Sequence, residues 1–256
     1  MRYAERFELE VAPDFEAMSR AGADWLVHLL RGRHDALLGL ATGASPARVY
    51  ELLAAKGRVE PSLLAEVRVL KTDEWGGLAM DDPGTSEAYL REHVVKPWLL
   101  EESRFTGWQS NPADPQAEAG RMRTWIAENG PLDGCVLGLG VNGHLLMNEP
   151  AEALAPSAHV ATLAESTLGH GMLQTARHAP RYGLTLGIAD LLNARRVLLL
   201  VSGANKAEPL RRFFSGRVTP QFPASFLWLH PALTVLCDAP AASLTESLAH
   251  RGQQRA

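Results

Sequence analysis

The chain has 256 residues, 46% hydrophobic and 21% charged, a balance that lets a globular protein bury a core without disulfides or structural metal. Its 25 basic and 29 acidic residues give a formal charge of −4, which argues against nucleic acid as a partner while leaving a small anionic ligand open. A charged N-terminus, no run of roughly 18 apolar residues, and cysteines 135 and 237 in separate apolar runs predict a cytoplasmic protein with no membrane partner.

Short apolar runs alternate with amphipathic segments, the pattern of a doubly wound α/β fold: a mostly parallel central sheet, helices on both faces, one domain over 1–256. In chain order the pattern predicts a helix over 15–31, a strand over 36–41, a helix over 46–55, a strand over 67–72, and helices over 86–99 and 115–129. Strands over 135–139, 184–187 and 197–201 follow, then a helix over 206–214, strands over 226–229 and 233–237, and a last helix over 241–250. Ser45 before Pro46 and Asp114 before Pro115 predict helix caps with proline at the first helical position. Residues 78–85, with Asp81, Asp82, Pro83 and Gly84, read as a loop, and 149–181 as irregular structure with one helix at most.

Ligands of an open parallel sheet bind beyond the carboxyl ends of its strands, so polar residues after each predicted strand are the first candidates. Thr42, Gly43, Ala44 and Ser45 lead from a strand into a helix. Small residues there let backbone N–H groups approach a phosphate, although the same residues also serve ordinary capping. The Gly-Lys-Ser/Thr ending of a P-loop is missing. Asp73 and Glu74 follow the next strand. Adjacent side chains diverge, so one carboxylate can face a ligand as a base while the other is tied to structure, or both can cap the loop.

Glycines 138, 140 and 143 have the G-x-G-x-x-G spacing, but no acidic residue ends a strand about 20 residues further on, which argues against a dinucleotide. His144 and then Glu149 follow, a pair in which a carboxylate can set the orientation and charge of an imidazole. Lys206, after Ser202 and Gly203, stands where a strand turns into a helix and can meet an anion or be solvated. The chain has no G-x-S-x-G elbow and no metal-ligand spacing, and no nucleotide or metal cofactor is implied. Two phosphate-suited turns, an acid and a histidine together suit a phosphorylated small molecule undergoing proton transfer.

These residues resemble the glucosamine-6-phosphate deaminase/isomerase family, whose fold is shared more distantly with 6-phosphogluconolactonases and ribose-5-phosphate isomerases. Six pieces match in order: Leu-Gly-Leu-Ala-Thr-Gly-Ala-Ser-Pro, Thr-Asp-Glu-Trp-Gly-Gly-Leu, Gly-Leu-Gly-Val-Asn-Gly-His with Asn-Glu-Pro, Tyr-Gly-Leu-Thr-Leu-Gly, Ser-Gly-Ala-Asn-Lys-Ala and Leu-Trp-Leu-His-Pro. The resemblance implies a sugar phosphate as the small-molecule partner and deamination with aldose–ketose isomerisation. It further implies Asp73 as the base between C2 and C1, His144 as the ring-opening group held by Glu149, and Thr42, Gly43, Ala44, Ser45 and Lys206 as the phosphate site.

Two departures stand out. Asn142 occupies the place of an Asp that the typical family member carries before Gly-His, which leaves Glu149 as the one acid beside His144. A phosphate-binding arginine of the family has no counterpart near 170–173, where His170 stands, and Arg181, nearby in sequence, is a candidate replacement. Asn142 and the 81–85 loop look more like the galactosamine-6-phosphate branch. A lactonase is the rival enzyme, but Asp-Glu-Trp and Asn148-Glu149-Pro150 depart from its usual pattern. A catalytically silent sugar-phosphate sensor is the rival of another class, and no spare segment carries a DNA-binding module. The sequence leaves a homo-oligomer open.

Overall fold

The computed structural model describes residues 7–245. Among the described residues ten strands are formed: β1 Glu8–Ala12, β2 Leu37–Leu40, β3 Arg68–Lys71, β4 Asp73–Gly76, β5 Phe105–Thr106, β6 Gly134–Gly138, β7 His159–Ala161, β8 Tyr182–Thr185, β9 Val197–Val201 and β10 Leu233–Asp238. Seven make one all-parallel sheet in the order β1-β10-β9-β6-β2-β3-β5. From β2 the chain runs outward to β3 and β5, then returns to the other side of β2 for β6 and β9. The order therefore reverses between β2 and β6, where the loops leaving the strands part and open a crevice. A small antiparallel sheet, β4-β8-β7, stands beside that edge.

The helices are α1 Phe15–Gly32, α2 Ala44–Val59, α3 Ser86–Leu90, α4 Pro115–Asn129, α5 Glu165–Leu168, α6 Ile188–Leu192, α7 Ala207–Phe213 and α8 Ala239–Ala242. Alternate strand residues enter two separate cores: Val136, Leu198, Leu200 and Leu236 pack with α1 and α2, while Leu137, Leu199 and Val235 pack on the opposite face with Leu191 and Leu210. This two-sided burial is why the strands read as unbroken apolar runs, and each fully buried leucine contributes about 1.5–3 kcal/mol. Asp114 caps α4 as expected, accepting from Gln116 N at 2.8 Å and Ala117 N at 3.2 Å.

Several expected elements differ. The run 226–229 is not a strand but part of a 3-10 helix, Pro223–Leu229. A four-residue apolar run cannot be assigned by periodicity, and Pro223 starts a helix readily while withholding an N–H from a ladder. The expected helix over 86–99 is α3 followed by a wider π-helical turn over Arg91–Val95, ending where Leu99 has φ 54°. Strand 184–187 lies two residues earlier, as β8. The expected helix 241–250 is not formed as read: α8 ends at Ala242, residues 243–245 are a turn and irregular chain, and 246–250 lie outside the described residues. β1, β4, β5 and β7 are short or carry alternate charges, and apolar runs did not mark them. Among the described residues no helix is long and apolar enough to cross a membrane.

Candidate active site

The turn after β2 is built around Gly43, which has φ 116°, a conformation that L side chains rarely adopt, and which caps α2 without a side-chain bond. The helix thus begins at Ala44, and Ser45 lies in its first turn rather than capping it. The first amides of α2 have no acceptor within the helix and point out of its end. The Gly43 carbonyl accepts from Tyr89 Oη at 2.6 Å and the Ala41 carbonyl from Tyr50 Oη at 2.8 Å, so two tyrosines hold the turn from behind. Among the described residues the Thr42 and Ser45 hydroxyls make no hydrogen bond and remain available to a ligand.

Asp73 and Glu74 part company where the chain leaves the main sheet for the small one. Glu74 turns into the protein. It pairs with Lys71 Nζ at 2.7 Å and accepts from the amides of Trp75, Ser86 and Glu87 at 2.7, 2.8 and 2.9 Å. Lys71 Nζ also meets Glu87 at 2.6 Å, and Arg91 carries this chain of charges outward, pairing with Glu87 at 2.8 Å and Glu102 at 2.7 Å. Among the described residues Asp73 has no cation in contact, and a long 3.5 Å bond from Thr72 Oγ1 is its one side-chain hydrogen bond. Burial, reinforced by the Glu74 charge and only partly offset by Lys71 and Thr72, pushes its carboxyl up to about 7. Thr72 Oγ1 also donates to the Leu40 carbonyl at 3.1 Å, which fixes Asp73 against the end of β2.

The loop after β6 carries His144. Gly140 is required there: a Cβ on it would lie 2.4 Å from the imidazole. Asn142 bridges the loop, receiving the His144 amide on Oδ1 at 3.0 Å and donating from Nδ2 to Glu149 Oε2 at 2.9 Å. His144 Nδ1 lies 3.6 Å from Glu149 Oε2 and 3.3 Å from Thr167 Oγ1. Burial raises the Glu149 carboxyl, but bonds with His144, Thr167 and Asn142 and the His144 charge outweigh it and hold the group at about 2. An ionised Glu149 thus sets a negative charge beside the Nδ1 edge of the imidazole.

Lys206 is not inside a helix but closes a 3-10 turn, Ala204–Lys206, ahead of α7. Asp238 holds that turn by accepting from Ser202 Oγ at 2.8 Å and Gly203 N at 3.0 Å. Lys206 Nζ donates to the Leu139 carbonyl at 2.7 Å, beside the His144 loop, and burial lowers its pKa. Sequence reasoning did not assign His170 to the site, yet it joins the parts. Its Nε2 is 3.9 Å from where a Cβ on Gly43 would stand, its ring is 5.9 Å from that of Trp75, and it feels the charges of both His144 and Lys206.

Lys206 is thus tied to the His144 loop through the Leu139 carbonyl, His170 stands between that loop, Lys206 and the Gly43 turn, and Thr72 holds Asp73 at the end of β2. Among the described residues no hydrogen bond or ion pair joins Asp73 directly to His144 or Lys206. Arg181 stands elsewhere, over Gly77 and donating to Asn111 at 3.3 Å, so it does not replace the missing arginine. Two other concavities, of about 410 Å³ beside Arg211, Arg212 and Arg217 and about 520 Å³ beside Arg123 and Asp190, share no residue with this cluster. Among the described residues no group of three or more His, Cys, Asp or Glu side chains is placed to hold a metal ion.

A parallel sheet with acid–base groups and phosphate-suited turns at its switch point defines an α/β enzyme of the proton-transfer type. The chain belongs to the family of glucosamine-6-phosphate isomerases/6-phosphogluconolactonases, whose model matches residues 14–235. A provisionally named deaminase of Escherichia coli (strain K12), AgaI, is 40% identical over 222 residues, covering 87% of this chain and 88% of that protein. The glucosamine-6-phosphate deaminase of Rhodopirellula baltica is 37% identical, covering 94% of this chain and 97% of the relative. Among solved structures, a monomeric glucosamine-6-phosphate deaminase superposes with a TM-score of 0.88 at 33% identity, covering 93% of this chain and 99% of that one. A 6-phosphogluconolactonase from Trypanosoma brucei, at 0.76 and 17% identity, shares the fold.

Proposed function

We propose that the protein converts a hexosamine 6-phosphate, glucosamine 6-phosphate or its C4 epimer galactosamine 6-phosphate, into a ketohexose 6-phosphate and ammonia. The phosphate sits on the first amides of α2 with the Thr42 and Ser45 hydroxyls and the Lys206 ammonium, an anchor far from C1 that holds the sugar for reaction. His144 Nε2 takes the proton of the anomeric hydroxyl and returns one to the ring oxygen, while Glu149, oriented by Asn142, balances the transient imidazolium. Asp73 then removes the proton at C2 of the open chain and delivers it to C1. The resulting imine at C2 is hydrolysed by water to the ketone with loss of ammonia.

The observation that carries this reading is the division of labour between Asp73 and Glu74: one takes the Lys71 charge, and the other is left a buried carboxyl titrating near neutrality, as a base for a carbon acid requires. The test supplies both hexosamine phosphates and 6-phosphogluconolactone to the purified protein. Ammonia and ketose phosphate formed together support the reading, whereas acid release from the lactone alone refutes it.

A further inference from the structure

The sugar-phosphate reading leaves one polar side chain of the crevice without a role. His170 opens the 3-10 helix Gly171–Thr175, and its Nδ1 accepts from the Met172 amide at 3.3 Å. That bond occupies the Nδ1 lone pair, so the neutral ring carries its proton on Nε2. Nε2 is the atom that stands over Gly43, at the mouth of α2, while desolvation and the charges of His144 and Lys206 disfavour protonation of the ring. The imidazole is thereby fixed as a neutral, one-proton donor aimed at the turn. No arginine from the same segment competes for this place: Arg177 is tied to Asp81 at 3.1 Å, and Arg181 lies over Gly77.

We infer that His170 is a phosphate-binding residue, donating its Nε2 proton to a phosphate oxygen held between the α2 turn and Lys206. This rests on the sugar-phosphate reading above but commits to a particular atom and protonation state. A neutral donor adds directionality where Lys206 already supplies charge, and it adds no second cation to repel the ammonium or the imidazolium formed at His144. An arginine in the same place would do both.

The test compares wild type with His170→Ala and His170→Gln, the latter able to present an amide N–H in place of Nε2–H. Binding of inorganic phosphate is followed by 31P NMR, and KM and kcat are measured with the hexosamine phosphate that turns over. The expected result is about tenfold weaker phosphate binding and about tenfold higher KM in His170→Ala, at nearly unchanged kcat and equally at pH 7 and 9, with partial recovery in His170→Gln. Equal phosphate affinity in wild type and His170→Ala would overturn the assignment whatever the turnover, and so would a loss confined to kcat. If no hexosamine phosphate is deaminated, the enzymatic reading fails, while His170-dependent phosphate binding by itself still sustains this inference. Thermal unfolding of both variants, expected near wild type, separates lost binding from lost folding.

Discussion

Asp73→Asn replaces the base with a neutral side chain of the same shape, and its consequences for stability and activity point in opposite directions. The unfolded chain ionises Asp73 near 3.8, whereas the folded protein holds the proton to about 7. Between those values folding requires proton uptake, so the wild type loses stability as pH rises from about 4 through 7, and the loss is constant above that. At about 1.4 kcal/mol per pH unit the full deficit is about 4 kcal/mol. The substituted amide does not titrate, and the Thr72 hydroxyl can still donate to its oxygen. Urea unfolding of the two proteins should therefore give near-equal free energies at pH 4 and an advantage for Asp73→Asn that grows to about 4 kcal/mol at pH 8, while turnover falls by about 100-fold or more. A difference that does not change with pH, or a variant that keeps wild-type turnover, would refute the picture of a strained, buried base.

In the wild type, kcat/KM should rise with pH through about 7 as Asp73 loses its proton, a limb visible in a pH–rate profile. Lys206→Met should raise KM about tenfold or more with a smaller effect on kcat, and weaken inhibition by inorganic phosphate in parallel, because the ammonium acts on the non-reacting end of the sugar. Glu149→Gln should lower kcat by about 100-fold, since it removes the charge that stabilises the imidazolium; steady-state kinetics at saturating substrate read this directly. Leu199→Ala, in a fully buried central strand, should cost about 2–5 kcal/mol in denaturant unfolding with little change in KM.

The central strands and the polar turns that follow them were legible because two-sided burial writes apolar runs and the strand-to-helix turns of such a sheet draw on small and polar residues. The pair Asp73 and Glu74 could be named from its place after β3, and the family resemblance pointed to Asp73, but the separation of the two depends on Lys71, Glu87 and the α3 amides, which only folding assembles. His170 was marked only as standing where the family's arginine is missing and was given no role, because it lies in a segment with no period and its neighbours Gly43, His144 and Lys206 come from three other turns. The 226–229 run misled for a related reason: burial was read correctly, while the backbone around Pro223 was not. Ser45 shows the same limit at one residue, since a positive φ at Gly43 moved the helix start.

The ion pairs that link Glu74 through Lys71, Glu87 and Arg91 to the exposed Glu102 run from the back of the base to solvent. Asp73 acidity is in this way adjustable from outside the crevice. Neutralising Arg91 would leave Glu87 drawing more strongly on Lys71, let the Glu74 charge press harder on its neighbour, and carry the acid limb of the pH–rate profile upward. Selection could thus retune the working pH of the enzyme at a surface arginine, without altering a single group that meets the sugar.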